Sequence, residues 1–243
     1  MIILIITAVR VKSMDSHRIS GRILAENIAG PGMLRLVEQS MQARIRKASV
    51  AEIAVKERKH PQAALTFDDG PDIRYTPLLL DGLKERNVRV SFFLLGEKVE
   101  QYPELVERMQ KEGHLVGNHT YHHVQLNKLN ETKAREEILK TNNLIYETTG
   151  VYPLYLRPPF GAWKKNLELC VEMLPVFWTI DTLDWKVQNT EKIVRTVQEQ
   201  IEDGAIILMH DEYDTSVEAA LQVVDELKNQ GYELVTVDQL ILP

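Results

Sequence analysis

The chain has 243 residues, 44% of them hydrophobic and 26% charged, a balance that fits a folded domain with a sizeable core and excludes a disordered chain. Its 29 basic and 35 acidic residues leave a net charge of −6 with no long run of like charge, so the electrostatic footprint of a nucleic-acid binder is absent and neutral or basic partners fit better. The only cysteine, Cys170, excludes an intrachain disulfide framework or a cysteine zinc site, so any metal must be held by histidine and carboxylate.

Residues 1–9 (MIILIITAV) are apolar but far short of the roughly 20 residues that span a bilayer, and nothing basic precedes them. They read either as the shortened core of a signal or membrane anchor, or as an ordinary buried segment. Gly30-Pro31-Gly32 breaks the chain, and the basic amphipathic stretch 33–58 reads as one or two helices. Residues 1–60 are therefore expected to form an N-terminal helical extension, and residues 61–243 a separate domain. From Gln62 onward, short β-branched or aromatic runs alternate with longer amphipathic ones, the rhythm of βα units around a parallel sheet. Strands are expected at 63–67, 89–94, 115–118, 154–157, 175–180, 205–209 and 233–236. Helices are expected at 76–86, 103–111, 131–148, 164–173, 190–202 and 216–229. Asn130 and Asn189 or Thr190 offer N-caps, and Gly113, Gly150, Gly204 and Gly231 sit where helices should stop. Seven strands in this rhythm predict a barrel related to the eight-stranded TIM barrel, with a doubly wound open sheet as the competing topology.

Nearly every polar cluster follows a predicted strand, and active sites of both architectures assemble at strand C-termini. The clusters are Thr66-Phe67-Asp68-Asp69-Gly70-Pro71, Asn118-His119-Thr120-Tyr121-His122-His123, Arg157-Pro158-Pro159-Phe160-Gly161, Asp181-Thr182-Leu183-Asp184-Trp185 and Leu208-Met209-His210-Asp211. His119 and His123 are four apart, so one helical turn would put both imidazoles on one face, with a neighbouring carboxylate completing a two-histidine, one-aspartate metal set; His122 should point away. A capped turn explains the same pattern without a metal. Asp68 and Asp69, adjacent on extended backbone, should diverge, which favours separate jobs, one holding a metal and one taking a proton from an attacking water. In isolation, Asp-Asp-Gly-Pro is also an ordinary polar turn. Arg157, stiffened by two prolines, is expected as a bidentate carboxylate partner, or else a surface arginine. His210 ends an apolar strand and is a candidate general acid, or a hydrogen-bonded core histidine. Asp184 or Asp181 could set its tautomer, and Trp185 could form an apolar wall or simply pack.

Taken in order, these five segments resemble the motif set of the polysaccharide deacetylase (NodB-like) family, also called carbohydrate esterase family 4, over residues 62–240. The resemblance implies a distorted (β/α)7 TIM-like barrel. It implies Asp68 as general base, Asp69, His119 and His123 as metal ligands, usually for zinc, with cobalt, nickel or manganese serving some members, and Arg157 as the group that orients the base. It further implies Pro159, Phe160 and Gly161 as groove residues, Asp184 as the partner that tunes a catalytic His210, and Trp185 with Leu208 as an acetyl-methyl pocket. Phe160 departs from the tyrosine common in the family, which removes a hydroxyl but keeps an aromatic wall and a backbone N–H. The form Asp-Thr-Leu-Asp-Trp is most like peptidoglycan N-acetylglucosamine deacetylases. The expected activity is removal of N-acetyl groups from such a polymer outside the cytoplasm. Chitooligosaccharide or O-acetyl-xylan deacetylation, and a non-catalytic carbohydrate-binding role, are the alternatives.

Overall fold

A computed structural model of the chain describes residues 60–163 and 173–241. The expected extension at 1–60 lies outside these residues apart from His60, as do the apolar segment 1–9, the helices at 33–58 and nearly all of the helix at 164–173. Among the described residues no helix is long and apolar enough to cross a membrane.

Eight short parallel strands form one sheet. They are β1 (Gln62–Asp68), β2 (Ser91–Leu94), β3 (Leu115–Asn118), β4 (Tyr155–Leu156), β5 (Leu174–Pro175), β6 (Ile180–Asp181), β7 (Ala205–His210) and β8 (Glu233–Leu234). Seven run in the order β5-β4-β3-β2-β1-β7-β6, and β8 pairs with the start of β1. Helices α1 (Tyr75–Glu85), α2 (Gly96–Gln101), α3 (Pro103–Lys111), α4 (Glu131–Thr149), α5 (Asp184–Val187), α6 (Thr190–Gln200), α7 (Asp214–Asn229) and α8 (Val237–Ile241) connect them. The architecture is the distorted (β/α)7 barrel, not the open doubly wound sheet.

The expected strand at 175–180 is the main correction. It divides into β5 and β6, because the Leu174 and Val176 amides donate to Leu154 and Leu156 beside β4, whereas the Thr179 amide donates to Ile206 beside β7. One run therefore changes partner partway along and brings the two edges of the sheet round towards each other. Three short helices, α2, α5 and α8, have no counterpart in the sequence reading, since segments of four to six residues are too brief to show a helical period.

Side chains of β1 alternate as a two-sided strand requires. Ala63, Leu65 and Phe67 join a core cluster with Leu79, Leu83 and Val223 of the surrounding helices. Ala64 joins a smaller cluster with Phe93, Tyr155 and Val176, and Thr66 and Asp68 share its face of the strand. The barrel interior thus changes along β1 from Ala64 through Thr66 to Asp68, from apolar to ionic. Helix starts follow the expected capping: the Asn130 side chain accepts from the Lys133 amide, and Asn189 from Lys192. The C-terminal stop of α4 is Gly150 at φ 71°, a left-handed residue that costs glycine nothing.

Candidate active site

Asp68 ends β1 with Asp69 just beyond it, and the register β1–β7 sets Asp68 opposite His210. Asp68 is 3% exposed. Its Oδ1 accepts from Arg157 Nη1 at 2.8 Å, and its Oδ2 lies 3.7 Å from His119 Nε2. Asp69 adopts φ 68°, so the backbone is not extended there. The expected divergence fails for that reason, and Asp69 Oδ1 comes within 3.3 Å of His119 Nε2 and 3.4 Å of His123 Nε2.

The two histidines do not occupy a helical turn. The segment after β3 is irregular loop, with Thr120 at φ 67° and His123 at φ 54°. The loop still achieves what the helical expectation required, since the ring centroids are 5.0 Å apart. His122 points away, its Nδ1 2.7 Å from Glu137 Oε1. His119 Nδ1 lies 2.7 Å from the Arg157 carbonyl oxygen; that acceptor calls for the Nδ1–H tautomer and leaves the Nε2 lone pair facing Asp69.

Arg157 is fully buried, its guanidinium carbon 4.3 Å from the centre of the Phe93 ring and 5.8 Å from that of Trp178. It is not bidentate. A single nitrogen, Nη1, serves both Asp68 and the Thr66 hydroxyl, the latter at 2.6 Å, because Thr66 projects from the same face of β1 two residues earlier. The sequence reading names Thr66 in a polar cluster but gives it no role; its position two before Asp68 on a strand was the available signal.

His210 Nδ1 is 2.7 Å from Asp184 Oδ1, and the His210 amide donates to Asp184 Oδ2 at 2.7 Å. Asp184, not Asp181, is therefore the partner. Asp184 is fully buried in the single turn of α5, which follows the left-handed residue Leu183. His210 Nε2 faces inward, 3.9 Å from Asp69 Oδ2. Burial pulls the His210 imidazole down, but Asp184 outweighs it and raises the group to about 9. Burial would raise Asp69, yet His119, His123 and His210 hold it well below the usual carboxylate range. Burial keeps His123 below its ordinary value.

The remaining expected residues surround this cluster. Phe160, at φ 60° and 62% exposed, sets its ring 4.5 Å from that of His123. Pro159 is buried, and a side chain at Gly161 would meet Trp178 at 3.4 Å. Trp185 is half-exposed on α5 beside Asp184, and Leu208 is buried two residues before His210 on the same face of β7. Asp69, His119 and His123 each offer an atom within 4.8 Å of the others, an arrangement that could hold a metal ion. The buried Oδ1 of Asp69, with no hydrogen-bond partner, fits that use.

Residues 55–176 match the family model described as polysaccharide deacetylase. The peptidoglycan-N-acetylglucosamine deacetylase PgdA of Listeria monocytogenes is 42% identical over 185 residues, 76% of this chain and 40% of that protein. The peptidoglycan-N-acetylmuramic acid deacetylase PdaC of Bacillus subtilis is 43% identical over 177 residues, 73% of this chain and 38% of that protein. The chain thus spans about two fifths of the length of these relatives. The solved structure of Bacillus subtilis PdaC superposes with a TM-score of 0.73 at 42% identity, covering 75% of this chain and 91% of the solved one.

Proposed function

The chain belongs to the polysaccharide deacetylase family, and from that premise we propose that residues 61–243 form a hydrolase that removes N-acetyl groups from N-acetylglucosamine units of peptidoglycan and releases acetate. The observation that carries this reading is the pair of braced groups on either side of Asp69: Asp68 held by Arg157, and His210 held by Asp184. One is an acceptor for a proton and the other a donor, which is what amide hydrolysis needs.

The convergent atoms of Asp69, His119 and His123 fit a divalent ion, with zinc the first choice for a set of imidazole and carboxylate and cobalt, nickel or manganese as substitutes. When bound, such an ion supplies a Lewis acid that polarises the acyl oxygen and eases ionisation of water. Asp68 takes the proton from the attacking water through Oδ2, the oxygen that Arg157 does not engage. Arg157 positions this base by fixing Oδ1. His210, protonated through the influence of Asp184, gives its proton from Nε2 to the departing sugar nitrogen, so that a free amine and acetate result. Phe160 and Trp185 offer exposed aromatic faces to a sugar ring, and Leu208 with Trp185 forms the apolar seat for the acetyl methyl. A polymeric cell-wall substrate implies work outside the cytoplasm, with residues 1–9 as a candidate anchor.

The test is acetate release by metal-stripped protein, with and without added zinc, from purified peptidoglycan, N-acetylglucosamine oligomers and acetylated xylan. Zinc-restored release from peptidoglycan is expected, and Asp68→Asn should lower it by roughly 100-fold or more. Preference for oligomers or xylan would move the substrate, unchanged release after the Asp68→Asn substitution would remove Asp68 from its role, and sugar binding without turnover would mark a binding protein.

A further inference from the structure

The loop that carries His119 and His123 is held from outside by a residue with no role in the proposed chemistry. Thr120 and His123 both lie at positive φ, a region that a β-branched residue such as Thr120 rarely adopts unless its surroundings impose it. On one side Asn118 imposes it: its Oδ1 accepts from the Thr120 amide at 2.7 Å, and its Nδ2 donates to Ile138 O and to Asn142 Oδ1 on α4 at 2.9 and 2.6 Å. On the other side stands Glu137 of α4. Its Oε2 accepts from the amides of Tyr121 and His122 at 3.0 and 2.9 Å, and its Oε1 meets His122 Nδ1 at 2.7 Å. One carboxylate, 16% exposed, thus engages three donors in the interval between the two imidazoles. Such charge-assisted bonds to main-chain N–H groups are stronger than those of an exposed ion pair.

We propose that Glu137 is a positioning residue for metal binding: its carboxylate sets the conformation of loop 119–123 and thereby the placement of His119 and His123 Nε2 against Asp69. The inference rests on the reading that Asp69, His119 and His123 hold a divalent ion. Glu137 lies outside the apolar cluster of Ala134, Ile138, Leu126 and Leu156 that anchors α4. Losing its carboxylate would release the Tyr121 and His122 amides to water without emptying the core, so the cost should fall on the metal site.

Titration of metal-stripped protein with Co2+, followed by its visible absorption, tests this in wild type, Glu137→Leu, Glu137→Gln and Glu137→Asp. Loss of partners that orient a ligand typically weakens metal affinity by roughly 10- to 100-fold. That loss and an altered absorption band are expected for Glu137→Leu, with the thermal midpoint of the metal-free protein little changed. Glu137→Gln, which keeps an acceptor for the amides, should stay within about threefold of wild type. Glu137→Asp, whose carboxylate is withdrawn by one methylene, should weaken binding about tenfold and serves the same purpose should Glu137→Leu not fold. Wild-type affinity and band shape in the Leu or Asp variant would overturn the proposal. So would affinity losses that track losses of metal-free stability across the set. No Co2+ binding by folded wild type would instead sink the metal reading beneath it.

Discussion

Asp69 lies one residue beyond a fully extended partner, and its positive φ is what turns two adjacent carboxylates onto one imidazole. Aspartate tolerates this region better than most residues, so the turn is compatible with the ligand it presents. Arg157 shows the converse economy. Its buried guanidinium leaves Nη2 without a hydrogen-bond partner, while Nη1 alone joins Thr66 to Asp68. A buried polar residue remote from the site supplies a prediction in pH. His114 is 4% exposed, accepts from the Val90 amide through Nδ1 at 3.1 Å, and packs edge-on against Phe92. Burial lowers its imidazole to about 4, with Arg89 and Arg108 assisting and Glu112 opposing. The unfolded chain therefore takes up this proton near the ordinary value of about 6.5 while the folded one does not. The stability it confers is present above that pH and is lost as the pH falls towards 4, by about 3 kcal/mol in all. His114→Asn keeps an acceptor and cannot titrate. Urea unfolding of metal-stripped protein between pH 7.5 and 4.5 should show a shallower acid loss in the variant, and parallel curves would disprove the assignment.

At the scale of elements, α2 is the piece that ties the site together. The first N–H groups of a helix have no partner within it. Here the Leu95, Gly96 and Glu97 amides donate to Gly70, Thr120 and Tyr121 carbonyls at 3.2, 2.9 and 3.2 Å, so one helix start bonds both loops that carry the proposed metal ligands. Its Lys98 pairs with Glu212 beyond β7, and its Glu100 accepts from the Tyr121 hydroxyl. Gly96 permits this approach. A methyl there would overlap the Tyr121 ring and the Thr141 hydroxyl and sit 3.1 Å from Tyr121 Cα. Gly96→Ala should therefore cost about 1–3 kcal/mol in denaturant unfolding and weaken metal binding; a variant of unchanged stability would show that the loops yield freely. The longer elements α3 and α4 are legible because their apolar residues recur at helical spacing and Pro103, Asn130 and Gly150 mark their ends. The segment 175–180 defeats that reading because an apolar run looks the same whether it keeps one neighbour or exchanges it for another.

For the whole molecule, the barrel gathers groups from β1, β3, β4, β6 and β7 at one end, so a ligand bound there engages the folded state alone. Zinc at about 100 times its dissociation constant should then raise the unfolding free energy by about 2.7 kcal/mol, seen as a higher thermal midpoint, and Asp69→Ala should abolish the rise. An equal rise in that variant would place the binding elsewhere.

Residue identity and strand spacing by themselves determined the parallel α/β architecture and placed Asp68, Asp69, His119, His123, Arg157, Asp184 and His210 among the polar residues at its strand ends, because a barrel delivers those residues to a common end; the family resemblance supplied their proposed roles. Only the tertiary structure decided how those side chains meet. The left-handed turn at Asp69, the irregular loop at 119–123, the Thr66 contact, the docking of α2 and the Glu137 bracket all depend on hydrogen bonds between segments far apart in the chain, and such bonds leave no period in the sequence that makes them.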